Sequence, residues 1–370
     1  MKQIGCILLL LISFTDSYSQ TSEAYYKSGI KNIGLNDTSA AILDFTKAIA
    51  LDSTMGKAYY YSGKLKSESK NYEGAIIDLI KAIDLNPASS SSYYHMANAK
   101  MNLQQFKEAI KDYSTAILIK SDDPDYYFAR AAVFTILYDY PAGIHDLDRA
   151  ISLYPSCSKC YLNRGNAKLE LSDYDGAIMD FTKTLEIDSL NVQAYWFRAQ
   201  SILGLKKHQS AIADFDTLIH IMPCSSTLYL SRGIIKEGAH DSIGALKDYD
   251  TAVNLDNQWA KAYFFRAHMK YNLNDNMGTI EDITKAISLD STRSAYFNFK
   301  ALAEANLQQF EQALEDINTV IIMDPENAQA FKKRGYIKYM LKDAEGSCID
   351  LHEAIKLGEN ATEMIAKYCK

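Results

Sequence analysis

Cys157-Ser158-Lys159-Cys160 comes nearest to reactive chemistry in this chain. Thiols at this spacing can close a local disulfide, exchange disulfides or supply half of a zinc site. Cys160 would enter the first turn of a helix, which lowers a thiol pKa and suits redox chemistry. The surrounding sequence lacks the βαβ setting of a redox fold. Zinc needs a second ligand pair, and no second CxxC or paired His-Cys is present. A local disulfide, or two inert thiols, is the favoured reading. Cys348 lies eleven residues before Glu359, and Cys369 lies ten after it. In a helical hairpin turning there, the two return to similar height. A Cys348–Cys369 disulfide is therefore expected, with two free buried thiols as the alternative. Cys224 falls roughly 20 Å from the CxxC at ordinary helix spacing, too far to join it.

Aspartate recurs every 34 residues, from Asp44 and Asp78 to Asp316 and Asp350, including Asp146, Asp180, Asp214, Asp248 and Asp282. Sixteen residues before most of them stands a base: Arg130, Arg164, Arg198, Arg232, Arg266, Lys300 and Arg334. An acidic column could be a calcium ladder. These acids lie mid-helix, where calcium loops do not form. Ion pairs with the basic column are expected, within a repeat or to its neighbour; partly buried pairs fix register more than they add stability. The seven histidines occupy unrelated repeat positions, and no HExxH, GxSxG or P-loop occurs. The chain is expected to be non-catalytic, with no cofactor and no metal.

The elements that must position these residues follow one unit, Gly56 to Ser89. Apolar or small residues at three- and four-residue steps (Tyr59, Gly63, Leu65; then Ala75, Leu79, Ala82) predict helices over about 58–69 and 72–84. Asn86-Pro87 ends the second, because proline cannot continue a helix. Gly63 and Ala75 are small where the two helices would cross. With Gly56 as position 1, ten such units tile residues 22–361 without insertion: 22–55, 56–89, 90–123, 124–157, 158–191, 192–225, 226–259, 260–293, 294–327 and 328–361. Position 4 is always aromatic, from Tyr25 to Phe331. Position 8 is always Gly or Ala, and position 20 is mostly Ala.

A 34-residue period with an aromatic at 4, a small residue at 8, Ala at 20, a large apolar at 24 and recurrent Pro at 32 (Pro87, Pro155, Pro223, Pro325) resembles the tetratricopeptide repeat (TPR) family. The resemblance covers about nine-tenths of the chain. It implies an all-α fold, a right-handed α-α superhelix of helix-turn-helix repeats. Each repeat would touch only its neighbours, so one elongated domain is expected. Residues 361–370 read as a C-terminal capping helix, with Met364, Ile365 and Tyr368 over the last repeat. At position 17 of the seventh repeat Ser242 replaces the usual aromatic, so the His240-Asp241-Ser242 turn is expected to be looser.

The resemblance also implies that first helices line a concave groove at positions 2, 5, 9 and 12. Position 5 carries Tyr26, Tyr60, Tyr94, Phe128, Trp196 and Phe264. Position 9 adds Asn98, Asn166, Gln200 and His268. Aromatics bury large area at low entropy cost, and amides bond peptide backbone, so the track suits a protein or peptide in an extended conformation. The competing reading is that position 5 packs between adjacent first helices as core. Chaperone-binding members hold a terminal carboxylate with Lys at 5 and Asn at 9. Only Lys332 matches at 5, with Tyr336 at 9 in its repeat, so that clamp is absent.

The net charge of −7 and pI near 5.6 argue against nucleic acid or an anionic membrane as the main partner. Residues 1–19 read as a secretory signal peptide: Lys2, then the apolar run Ile4 to Ile12, then small residues at Ser17 and Ser19. No later stretch reaches the roughly 18 apolar residues of a membrane span. An exported protein is expected, periplasmic or extracellular; in a eukaryotic lumen Asn36-Asp37-Thr38 and Asn360-Ala361-Thr362 would be glycosylation sequons. The reading is a non-catalytic scaffold for protein partners, of undetermined oligomeric state. The alternatives are a thiol-redox or metal-binding protein using Cys157 and Cys160, and a glycan-binding accessory protein.

Overall fold

The computed structural model describes residues 21–369. The expected signal peptide lies outside them. The chain divides into two compact units, Met1–Leu171 and Ser172–Lys370. The first holds α1 (Ser22–Gly34), α2 (Thr38–Leu51), α3 (Gly56–Glu68), α4 (Tyr72–Leu85), α5 (Ser90–Asn102), α6 (Phe106–Ile119), α7 (Pro124–Ile136), α8 (Tyr140–Leu153) and α9 (Ser158–Glu170). The second holds α10 (Tyr174–Ile187), α11 (Val192–Gly204), α12 (His208–Ile221), α13 (Ser226–Gly238), α14 (Ser242–Leu255), α15 (Ala260–Asn272), α16 (Asn276–Leu289), α17 (Ser294–Asn306), α18 (Phe310–Met323), α19 (Ala328–Met340), α20 (Ala344–Lys356) and α21 (Thr362–Tyr368). Every odd helix through α19 starts at repeat position 1, and every even helix at position 17.

The register repeats because the turn chemistry repeats. Position 15 is left-handed in all ten turns, with φ between 57° and 68°, although it is never glycine. In the α3–α4 turn, Lys70 N–H donates to Ser67 O and Asn71 N–H donates to Lys66 O. This is the Schellman closure, which satisfies carbonyls left open at a helix end. Position 16 then caps the second helix: Asp37, Asn71, Asp139, Asp173, Asp241, Asp275 and Asp343 each accept the N–H of position 19. Gln105, Lys207 and Gln309 make no such bond. The turn at His240 is no looser than the rest. His240 has φ 63°, Asp241 caps α14, and the same two backbone bonds close it. The cap and the left-handed residue set this turn, so the aromatic at position 17 is dispensable.

Within each pair, position 24 is the central buried side chain. Phe45, Leu79, Tyr113, Leu147, Phe181, Tyr249, Ile283, Ile317 and Leu351 are fully buried. Position 8 must be small to admit it: a Cβ on Gly63 would sit 2.7 Å from Leu79 Cγ and 3.0 Å from the Ala75 carbonyl oxygen. The first two pairs meet through small residues at positions 27 and 3, Ala48 and Ala58. Consecutive first helices lie close (α3 to α5, α5 to α7, α13 to α15), while no two second helices approach as closely among the described residues. Those stretches therefore bend toward their first helices. At the C-terminus α21 covers Leu351 and Ala354, and Tyr368 stacks on Tyr339 at 4.0 Å. Among the described residues, no helix is long and apolar enough to cross a membrane.

Candidate functional site

The arginine column builds a fork. Arg130 Nε and Nη2 donate to the two oxygens of Asp146 at 2.8 and 2.7 Å, while Nη1 donates to Ser114 of the preceding repeat at 2.8 Å. Arg198 does the same with Asp214 and Thr182. So do Arg232 with Asp248 and Asp216, and Arg266 with Asp282 and Asp250. Arg334 repeats it on Asp350 and Asn318. Arg164 donates to Asp148 at 2.6 Å, and Asp180 is buried. One side chain thus answers both alternatives left open by the sequence: it pairs inside its repeat and reaches back one repeat. The fixed guanidinium plane makes this possible, with two N–H vectors committed to one carboxylate and a third pointing away. The aromatic at position 4 lies beneath the same guanidinium, as Tyr195 under Arg198 at 5.5 Å and Tyr229 under Arg232 at 5.6 Å.

Sequence reasoning missed a third column. Position 11 is often lysine, and its amine adds to the same aspartate: Lys236 to Asp248 at 2.8 Å, Lys270 to Asp282 at 2.9 Å, Lys338 to Asp350 at 2.8 Å. In the second and third repeats, which lack the arginine, it is the basic partner: Lys66 on Asp78 at 2.6 Å and Lys100 on Asp112. The spacing of twelve between lysine and aspartate was the available signal. The ninth repeat breaks the pattern: Glu304 stands at position 11, buried, and shares Lys300 with Asp316 at 3.1 and 2.7 Å. Its Oε2 has no hydrogen-bond partner among the described residues. Burial, and then the nearby Asp316, push the Glu304 carboxyl up to about 7.

The position 5 rings are wedges. In the first unit Tyr26 packs on Phe45 and Tyr61, and Tyr60 on Tyr61 and His95. Tyr94 stacks on Tyr126 at 5.0 Å, and Phe128 lies under Lys159 Nζ at 4.4 Å. Each therefore fills the joint between first helices, yet all four remain half-buried, with part of the ring open. In the second unit Trp196 meets Phe215 at 5.3 Å, and Phe264 sits among Phe265, Tyr296 and Phe299. Leu230 at the same position is buried outright. The partners from the next repeat stand at position 6 (Tyr61, His95, Phe299) and position 3 (Tyr126, Tyr296), visible in the sequence but unused by the groove argument, while Phe45 and Phe215 come from position 24 of the same repeat. Of the position 9 residues, Asn98 accepts the Tyr113 hydroxyl on Oδ1, and its side chain also hydrogen-bonds Tyr94. His268 Nδ1 stands 3.0 Å from Glu237. Asn166 is half-buried and Gln200 is exposed.

Sequence profiles of the tetratricopeptide repeat match residues 56–89, 98–135 and 162–223. The first match has the same bounds as the unit read from Gly56 to Ser89. The chain is a tetratricopeptide repeat protein. Similar solved TPR structures include YrrB, described as a TPR protein with an unusual peptide-binding site, at 22% identity and TM-score 0.44 over 48% of this chain and 92% of YrrB. Yeast Tom70 aligns at 15% identity and TM-score 0.40 over 93% of each chain. The Cut9–Hcn1 structure aligns at 12% identity and TM-score 0.45 over 94% of this chain and 96% of the other. Scores this low carry no inference about ligands or partners. No curated protein matches the chain significantly.

In this TPR chain Cys157 and Cys160 are bonded to each other, 3% and 1% exposed. Their burial keeps an incoming thiolate from the sulfurs. Cys348 and Cys369 are also bonded, which ties the end of α21 to α20. Cys224 is exposed and free. Among the described residues no three His, Cys, Asp or Glu side chains gather as a metal site.

Proposed function

We propose that this TPR chain is an exported, non-catalytic scaffold that captures an extended segment of a protein partner along its first helices. The observation that carries the reading is the half-open row Tyr26, Tyr60, Tyr94 and Phe128. These rings are anchored on one side by neighbouring helices and so lose little freedom when the other side is covered. Asn98, with Oδ1 held by Tyr113 and its side chain hydrogen-bonded to Tyr94, would place an amide beside a peptide backbone lying along these rings. Two cysteine pairs at bonding distance favour an oxidising compartment, periplasmic or extracellular.

The test compares the mature chain with a variant carrying Tyr60, Tyr94 and Phe128 changed to Ser, in cross-linked capture from envelope extract, after circular dichroism shows equal helicity. A partner held by the first and lost by the second supports the groove. A partner held equally by both removes it. N-terminal sequencing of the protein recovered from the envelope or medium should begin at Gln20; an intact Met1 would overturn export.

A further inference from the structure

Lys333 stands apart from the charge ladders. Its Nζ donates to Asn298 Oδ1 at 2.8 Å, and no carboxylate pairs with it among the described residues. Burial alone pulls its pKa below that of an ordinary lysine. The adjacent Lys332 is different: Glu359 holds it at 2.8 Å. Two recesses open on either side of Lys333 and Tyr336. One, of about 330 Å³, is bounded by Gln329, Lys332, Glu359 and Met364. The other, of about 100 Å³, is walled by Leu302, Ala305 and Ile337.

We propose that this double recess binds a carboxylate flanked by apolar groups, presented by a peptide segment of a partner. The inference rests on the reading of the chain as a protein-binding scaffold, and it names the chemistry recognised near the C-terminus. A half-buried ammonium bonded to one neutral amide gains most from an anion, because charge-assisted bonds are stronger where water is partly excluded. Glu359 beside it disfavours a doubly charged group such as phosphate and admits a single carboxylate. The apolar space is split into two small recesses rather than one deep cavity. It therefore suits short side chains on either side of the acid better than one long hydrocarbon. Met364 belongs to α21, which the Cys348–Cys369 bond tethers, so the larger recess depends on that bridge.

The test is fluorescence anisotropy with the full mature chain and fluorescein-labelled peptides, titrated into the millimolar range. The probes are Ala-Leu-Glu-Leu-Ala amide, its Gln counterpart, and Ala-Leu-Leu with a free or an amidated C-terminus. At least one acidic probe should bind tenfold or more tightly than its neutral partner, and which one identifies a side-chain or a terminal carboxylate. Lys333→Met should weaken that binding at least tenfold while Lys333→Arg retains it. Changing both Cys348 and Cys369 to Ser should weaken it as well. If Lys333→Met loses helicity, Lys333→Gln takes its place. Equal affinity for acidic and neutral probes, no binding by the wild type, or an unaffected folded Lys333 variant would each overturn the proposal. The capture variant lies in the first unit, so a failure here with that result intact discards this site alone.

Discussion

Two titratable side chains, half-buried His95 and buried Glu304, set opposite pH responses. His95 lies between Tyr60 and Tyr94, and burial, then Lys64, hold its pKa at about 4 against an ordinary 6.5. The folded state favours the neutral ring. That contribution is fully present above pH 6.5 and is lost as pH falls toward 4. Glu304 is raised from an ordinary 4.5 to about 7, so folding favours its protonated form. Its contribution is fully present below pH 4.5 and is lost as pH rises through 7. Urea unfolding of Glu304→Gln should therefore gain on the wild type as pH rises from 5 to 8, by on the order of 2 kcal/mol. His95→Phe should lose the wild type's weakening below pH 6.5. Profiles parallel to the wild type would contradict both assignments. Residue identity alone revealed neither shift. A histidine at a first-helix position reads the same whether two tyrosines enclose it or water does.

At the scale of the helix, caps rather than propensity keep the register. Seven second helices begin under an Asp or Asn side chain, whereas α12 is preceded by Lys207, which accepts no N–H. Lys207→Asp should raise stability by about 1 kcal/mol, the usual value of an N-cap bond, read as a higher urea midpoint with unchanged slope. An unchanged midpoint would mean that the cap geometry at α12 differs from its siblings. The helices were legible in the sequence to within two residues: α3 was expected from about 58 and starts at Gly56, and α4 starts at Tyr72 as expected. The left-handed residue at position 15 was not legible, because Lys70, Tyr138 and Lys206 are poor indicators of positive φ. The neighbouring helices hold them there, at a local cost of roughly 1–2 kcal/mol each.

Across the repeats of the first unit, the ties between neighbours are unequal. Arg130 bonds back to Ser114, which joins the fourth repeat to the third. The three repeats before it have Ser28, Ser62 and Met96 at that position and meet through aromatic and small apolar contacts. Amide hydrogen exchange should therefore be faster in α1 to α4 than in α7 and α8, since stability in repeat arrays is largely a sum of local and nearest-neighbour terms. Equal protection across these helices would show that the arginine forks add nothing to coupling. The cap belongs to the same scale: reduction of Cys348–Cys369 should release α21 and expose Tyr368 without unfolding the repeats beneath it.

The sequence by itself determined the repeat. Gly63 fits only where Leu79 crosses, Pro87 only past a helix end, and the aspartates only at one height on every second helix. A pattern enforced ten times in register leaves no other fold. It also placed the arginine and aspartate columns within reach and brought Cys348 level with Cys369. Tertiary structure alone decided how those groups divide their bonds. The arginines serve two repeats at once, Lys236, Lys270 and Lys338 complete the aspartates of their repeats, and Glu304 keeps one oxygen without a hydrogen-bond partner among the described residues. It also decided that Tyr60 and Tyr94 are wedges as well as an open face, and that Lys333 has no acidic partner among the described residues. Periodicity fixes which face of its own helix a residue occupies. The partners on that face come from other helices, and only folding brings them there.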